Sequence, residues 1–242
     1  MDSRYRKVNR IIDIQSKSFF LYLHAFVLNN KLWDELMRVS TETNVYVFSG
    51  IIRNFLLGYL ENKDLDFVVR DIHSIRISKD LCQSMRVYRN SFGGYKINYK
   101  HLVIDAWDIT DTWGIVQKGV SATPQELVKT AFFNFSAIAY DLRERKFIYD
   151  IAFSKFLLTK EMDVVYPENP NIALCIVNSL YYSQKYSLSM SKRLCIWILS
   201  RANSVSLSDY VNVQIKHFGK VLFNINTISE FLISCYIRVL NK

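Results

Sequence analysis

The 242-residue sequence predicts an α+β fold, a small mixed sheet between N-terminal helices and a C-terminal helical bundle. Three observations carry that expectation. Apolar residues recur at helical spacing through Ile11, Ile12, Phe19, Phe20, Tyr22 and Leu23, then through Leu32, Trp33, Leu36 and Met37. Short β-runs cluster in the middle of the chain, beginning with Val45-Tyr46-Val47-Phe48 and Leu65-Asp66-Phe67-Val68-Val69. After Asn169-Pro170, a cap-and-proline start, every segment reads as helix. Segregated elements of this kind pack as α+β.

In chain order, the expected domains are N-terminal helices at 1–44, a sheet domain at 45–166 and a basic helical domain at 167–242. A helix over 51–57 should stop at Gly58, a good helix terminator. Another helix is expected at 78–85, followed by strands at 86–89, 95–99 and 102–107, with turns at Gly93-Gly94 and 98–101. Thr123-Pro124-Gln125-Glu126 is a helix start, with Thr123 as cap and Glu126 completing a capping box. Residues 137–141 and 146–149 form a hairpin, and the last helix opens at Thr227.

Composition narrows the function classes. Half of the residues are hydrophobic and only three are proline, which excludes a disordered chain. The longest apolar run, 19–28, is interrupted by His24 and too short to span a bilayer, and no secretory cleavage site follows Met1. Cys82, Cys175, Cys195 and Cys235 show no CxxC spacing and read as buried thiols of a cytoplasmic protein. The net charge of +9 is uneven: residues 167–242 carry eight basic and three acidic side chains. That tail suits a polyanion such as RNA, although a solubility surplus would look the same.

The chemistry concentrates between Ser49 and Asp66. Alternate residues of a strand share a face, so Asp64 and Asp66 point the same way and repel unless a cation neutralises them. A hard divalent ion such as Mg²⁺, or Mn²⁺, suits oxygen ligands and leaves room for phosphate oxygens. A third carboxylate from a neighbouring strand would complete a two-metal site. Asp105 in Leu102-Val103-Ile104-Asp105-Ala106 is the best placed, with Asp108 as the fallback. Ser49-Gly50 at a strand end opens a helix whose amides favour an anion, and Arg53 can turn back to the same phosphate. A DxD pair alone is a weak signal, and its bland reading is two solvated aspartates at a strand edge.

Together these residues resemble the head domain of class II tRNA CCA-adding enzymes and bacterial poly(A) polymerases, in the nucleotidyltransferase superfamily. The resemblance rests on Ser49-Gly50-Ile51-Ile52-Arg53-Asn54-Phe55-Leu56-Leu57-Gly58 followed by Asp64-Leu65-Asp66. Phe92-Gly93-Gly94, Val103-Ile104-Asp105 and Asn134-Phe135-Ser136-Ala137-Ile138-Ala139-Tyr140-Asp141 extend it. It implies a five-stranded palm, with Ser49, Gly50, Arg53 and Lys129 at the nucleotide and Asp64, Asp66 and Asp105 as metal ligands. The implied activity is transfer of a nucleotide from a nucleoside triphosphate such as ATP to an acceptor hydroxyl, at an RNA or tRNA 3′ end, with release of pyrophosphate.

The sequence also departs from the family pattern. Ser49 replaces a glycine, Asn54 replaces an aspartate, and Thr130-Ala131-Phe132 stand where an Arg-Arg-Asp run is expected, leaving Lys129 as the nearby cation. Cys175, Asn178 and Tyr181 occupy the positions of neck arginines, and the family's long body and tail are expected to be largely missing. Two alternatives therefore stay open: a catalytically reduced nucleotide- or RNA-binding module, and a toxin-type transferase that modifies tRNA or a protein partner.

Overall fold

The computed structural model describes residues 3–62, 64–90 and 93–241. Phe92, part of the expected Phe-Gly-Gly turn, lies outside them. The chain forms two compact units, one comprising residues up to Ala131 with Phe135–Leu158, the other Phe132–Asn134 with the chain from Thr159 onward.

The first unit opens with α1 (Ser3–Ile14), α2 (Ser16–Tyr22), a π-helical turn (Leu23–Val27) and α3 (Asn30–Glu42). These helices share one compact unit with the sheet. Strand β1 (Val45–Phe48) leads into α4 (Gly50–Leu56) and β2 (Asp64–Val69). Next come α5 (Lys79–Gln83), β3 (Met85–Arg89), β4 (Tyr95–Tyr99) and β5 (Leu102–Asp108). Helices α6 (Trp113–Lys118) and α7 (Pro124–Val128) precede the hairpin β6 (Ile138–Asp141) and β7 (Lys146–Tyr149), and α8 (Ile151–Thr159) follows.

The sheet has seven strands in the order β3-β4-β5-β2-β1-β6-β7, two more than the implied palm. The β6–β7 hairpin adds to the other side of β1, where Tyr46 stands opposite Asp141 and Val47 opposite Tyr140. Strands β2 and β5 run parallel, and their neighbours in the sheet pair antiparallel, so the sheet is mixed as expected. Along the face that carries Asp64 and Asp66, Val68 packs with Tyr46, Ile115, Leu127 and Val128 into a buried cluster. On the other face Phe19 meets the Tyr140 ring edge-on at 4.9 Å, and the Tyr140 hydroxyl donates to the Ser16 carbonyl. An apolar cluster closes one end of the carboxylate face, so the charged end is where polar chemistry can be reached.

The second unit holds β8 (Glu161–Met162), α9 (Ile172–Lys185), β9 (Ser189–Met190), α10 (Lys192–Ala202), α11 (Leu207–Phe218) and α12 (Ile225–Leu240). It begins at Thr159, ahead of the expected residue 167, because β8 pairs with β9 and Asp163 is bound by Ser191 and Arg193.

Caps move several helix starts. Thr123 accepts the Glu126 amide with Pro124 at the first helical position, as expected, but the Glu126 carboxylate pairs with Lys129. Helix α9 is capped by Asn171, not Asn169, and α12 by Asn224, whose side chain accepts the Thr227 amide. Asparagine is among the strongest N-caps, so it outcompetes threonine for that role. Of the four thiols, Cys175, Cys195 and Cys235 are buried, whereas Cys82 is exposed, contrary to expectation.

Candidate active site

The carboxylates meet where β2 and β5 run parallel. Asp66 stands directly opposite Asp105, and Asp64 opposite Val103, so the three acids lie on one face of two adjacent strands. Asp66 keeps part of its surface open, yet burial, then the charge of Asp105, then that of Asp64, push its carboxyl up to about 7. Arg53 and Lys96 oppose that rise. No hydrogen bond or ion pair reaches Asp66 among the described residues. A desolvated carboxylate beside like charges favours its protonated form unless positive charge is brought close.

An oxygen-only donor set with that electrostatic deficit fits a hard divalent ion in kind. It is not a preformed cage: among the described residues no three acidic, histidine or cysteine side chains converge on one point. Asp105 is instead engaged by Lys96, whose Nζ lies 3.3 Å from its Oδ2.

Asp108, the fallback, is committed elsewhere. Burial alone would raise its carboxyl, but the amide and hydroxyl of Thr110 and the amides of Ile72 and Asp71 outweigh burial and hold it below the ordinary range. It caps the turn Ile109–Asp111.

Ser49 takes φ 55° and ψ −96°. A side chain is strained in that region, which explains why a glycine suits this corner. Helix α4 has only seven residues, so its dipole adds little and an anion here would depend more on Arg53. Arg53 is buried, unlike an ordinary surface helix arginine. Its Nε and Nη2 donate to Asn54 Oδ1 at 3.1 and 3.0 Å, and its guanidinium lies 5.1 Å from the Phe135 ring centroid. The Asn54 amide in turn donates to the Glu61 carbonyl at 2.9 Å and to Asn62 Oδ1 at 3.0 Å. Asn54 thus orients Arg53 and anchors the loop that delivers Asp64.

Gly94 allows β4 to close on β5. An added Cβ would lie 2.9 Å from the Ala106 carbonyl oxygen and 2.9 Å from Trp107 Cβ. Lys129 makes other contacts: its ammonium is 2.7 Å from Glu126, and its carbonyl accepts from Lys118.

Sequence reasoning missed Lys96 and the positioning role of Asn54. The signal for Lys96 was a charged residue within Tyr95-Lys96-Ile97, readable only once the β4–β5 register is known.

No family model matches this sequence, and no curated protein matches it. Solved structures do. A CCA-adding enzyme in complex with CTP superposes with a TM-score of 0.60 over 87% of this chain and 53% of that one, at 14% identity. A tRNA nucleotidyltransferase complexed with a primer tRNA and an incoming ATP analog gives 0.60 over 86% of this chain and 62% of that one, at 17% identity. A tRNA-processing enzyme in an apo form gives 0.61 over 88% of this chain and 58% of that one, at 18% identity. The chain spans between 53% and 62% of the length of these three structures. At such identities the likeness speaks for architecture, and it shows that this chain has the fold of the CCA-adding enzymes and tRNA nucleotidyltransferases.

Proposed function

We propose that the protein is a metal-dependent nucleotidyltransferase that moves a nucleotide from a nucleoside triphosphate to the hydroxyl of an RNA or tRNA 3′ end. The observation that carries this reading is the pairing of Asp66 with Asp105 on parallel strands, with Asp64 on the same face and Arg53 close enough to act on Asp66. The solved structures named above, two with nucleotides and one of these with a primer tRNA, support the substrate class by analogy of fold.

Asp64, Asp66 and Asp105 would hold Mg²⁺ or Mn²⁺, which when bound supplies Lewis-acid stabilisation of charge on phosphate oxygens. Asp66 must lose its proton to serve as a ligand, so its raised proton affinity makes cation binding stronger as pH rises through about 7. Arg53, fixed by Asn54, offers a cation to the triphosphate with little side-chain entropy left to lose. Ser49 and Gly50 bring backbone against that position, and Lys129 is assigned to the same nucleotide as an outlying contact. The basic second unit supplies a field that attracts RNA.

Incorporation from each of four labelled nucleoside triphosphates into total RNA, with Mg²⁺ or Mn²⁺, tests the assignment. Wild-type protein should label RNA, and Asp66→Asn should cut the rate by at least about a thousandfold. Equal labelling by the two proteins would remove the enzyme reading. The absence of a ready three-acid cage favours, as a second reading, a module that binds a nucleotide without turning it over. Metal-dependent nucleotide binding with no incorporation under any condition would select it.

A further inference from the structure

We propose that Lys96 is a built-in counter-ion for the third carboxylate, holding Asp105 until a divalent cation displaces it. The inference rests on the metal-dependent reading above. Lys96 in β4 stands directly opposite Asp105 in β5, which stands directly opposite Asp66 in β2. The three charged residues therefore form one row across three neighbouring strands, on one face of the sheet. The ammonium is 3.3 Å from Asp105 Oδ2.

Exposure decides what such a pair can do. The Lys96 side chain is 47% exposed and that of Asp105 24%, so the ammonium sits at a wet rim. A surface ion pair contributes little net stability and is readily exchanged. A dication carries twice the charge and can take oxygens from more than one carboxylate, so it outcompetes an ammonium at the same place. The charged groups around this row are Asp64, Asp66 and Asp105, with Arg53 and Lys96 opposing them. Even with both cations counted, the acids are in excess when ionised. The lack of a converged three-acid group then has a local reason: Asp105 is held by Lys96. Lys96 acts here as a positioning residue, through Asp105.

Mn²⁺ titration followed by electron paramagnetic resonance, at pH 8 and low salt, measures this without turnover. The set is wild type, Lys96→Met, Lys96→Arg and Asp66→Asn. Lys96→Met should bind Mn²⁺ about tenfold more tightly than wild type, because a like charge is removed and Asp105 is released. Lys96→Arg should stay near wild type, and Asp66→Asn should lose the site. If Lys96→Met binds equally or more weakly while wild-type binding still needs Asp66, the counter-ion role is overturned and the metal-dependent reading stands. If neither wild type nor Lys96→Met binds Mn²⁺ through Asp66, both fall.

Discussion

Two carboxylates in this chain, Asp66 in the first unit and Asp163 in the second, have opposite surroundings. Asp163 is buried and saturated. It accepts from the Val164 amide at 2.9 Å, Ser191 Oγ at 2.6 Å, and Arg193 Nε and Nη2 at 3.0 and 2.8 Å. Its own amide donates to Asn134 Oδ1 at 2.9 Å. Asp66 has no donor among the described residues, and the charges that act on it most strongly are two other acids. A carboxylate that serves structure is surrounded by donors, since each unpaired buried charge is costly. One left short of donors lowers the stability of the fold, a cost that a bound cation would offset under the proposed function. Asp108 belongs with Asp163, which is why the fallback acid is not a rival for the site.

The comparison makes the same kind of substitution act in opposite directions. Asp163→Ala would leave Ser191, Arg193 and the Val164 amide without their acceptor, and should destabilise the protein by about 3 kcal/mol in urea unfolding. A loss below 0.5 kcal/mol, on the order of an exposed ion pair, would break the contrast.

Asp66→Asn should instead stabilise the metal-free protein, with a dependence on pH. Asp66 holds its proton to about pH 7 in the folded state, against an ordinary value of 3.8. Between those limits the folded chain binds a proton that the unfolded chain has released, so stability falls as pH rises and the penalty is complete above 7. The gain from Asp66→Asn should be about 2 kcal/mol at pH 8 and should vanish below pH 4. A variant less stable than wild type at every pH would show that Asp66 is a structural residue after all.

Ser49→Gly sharpens the picture at the smallest scale. Relief of the positive φ should stabilise the fold by about 1 kcal/mol, with Arg53 unmoved. Destabilisation would mean that the serine hydroxyl is needed at the corner.

Much of the candidate site was legible in the sequence because it is written in alternation. Asp64 and Asp66 flank buried Leu65, and Asp105 sits between Ile104 and Ala106, so period two alone put the acids on single faces. The β6–β7 hairpin was readable from its turn, but its attachment to β1 was not, since Tyr46 and Asp141 meet only through long-range pairing. Lys96 was missed although its pairing is local: it faces Asp105 across the tight β4–β5 hairpin, and the register set by Tyr99 opposite Leu102 was not worked out from the sequence. The burial of Arg53 was also hidden, because the Phe135 ring that covers it comes from a distant part of the chain. The start at Asn224 could have been read from the ranking of asparagine over threonine as a cap, whereas Asn169 and Asn171 are the same residue type and local sequence does not rank them.

The most direct measurement is the titration of Asp66 itself, by carboxyl ¹³C chemical shift in protein labelled at aspartate and assigned with Asp66→Asn. The midpoint should lie near 7 in the metal-free protein and should move clearly downward when Mg²⁺ is added. A midpoint near 4 that Mg²⁺ leaves in place would contradict that expectation.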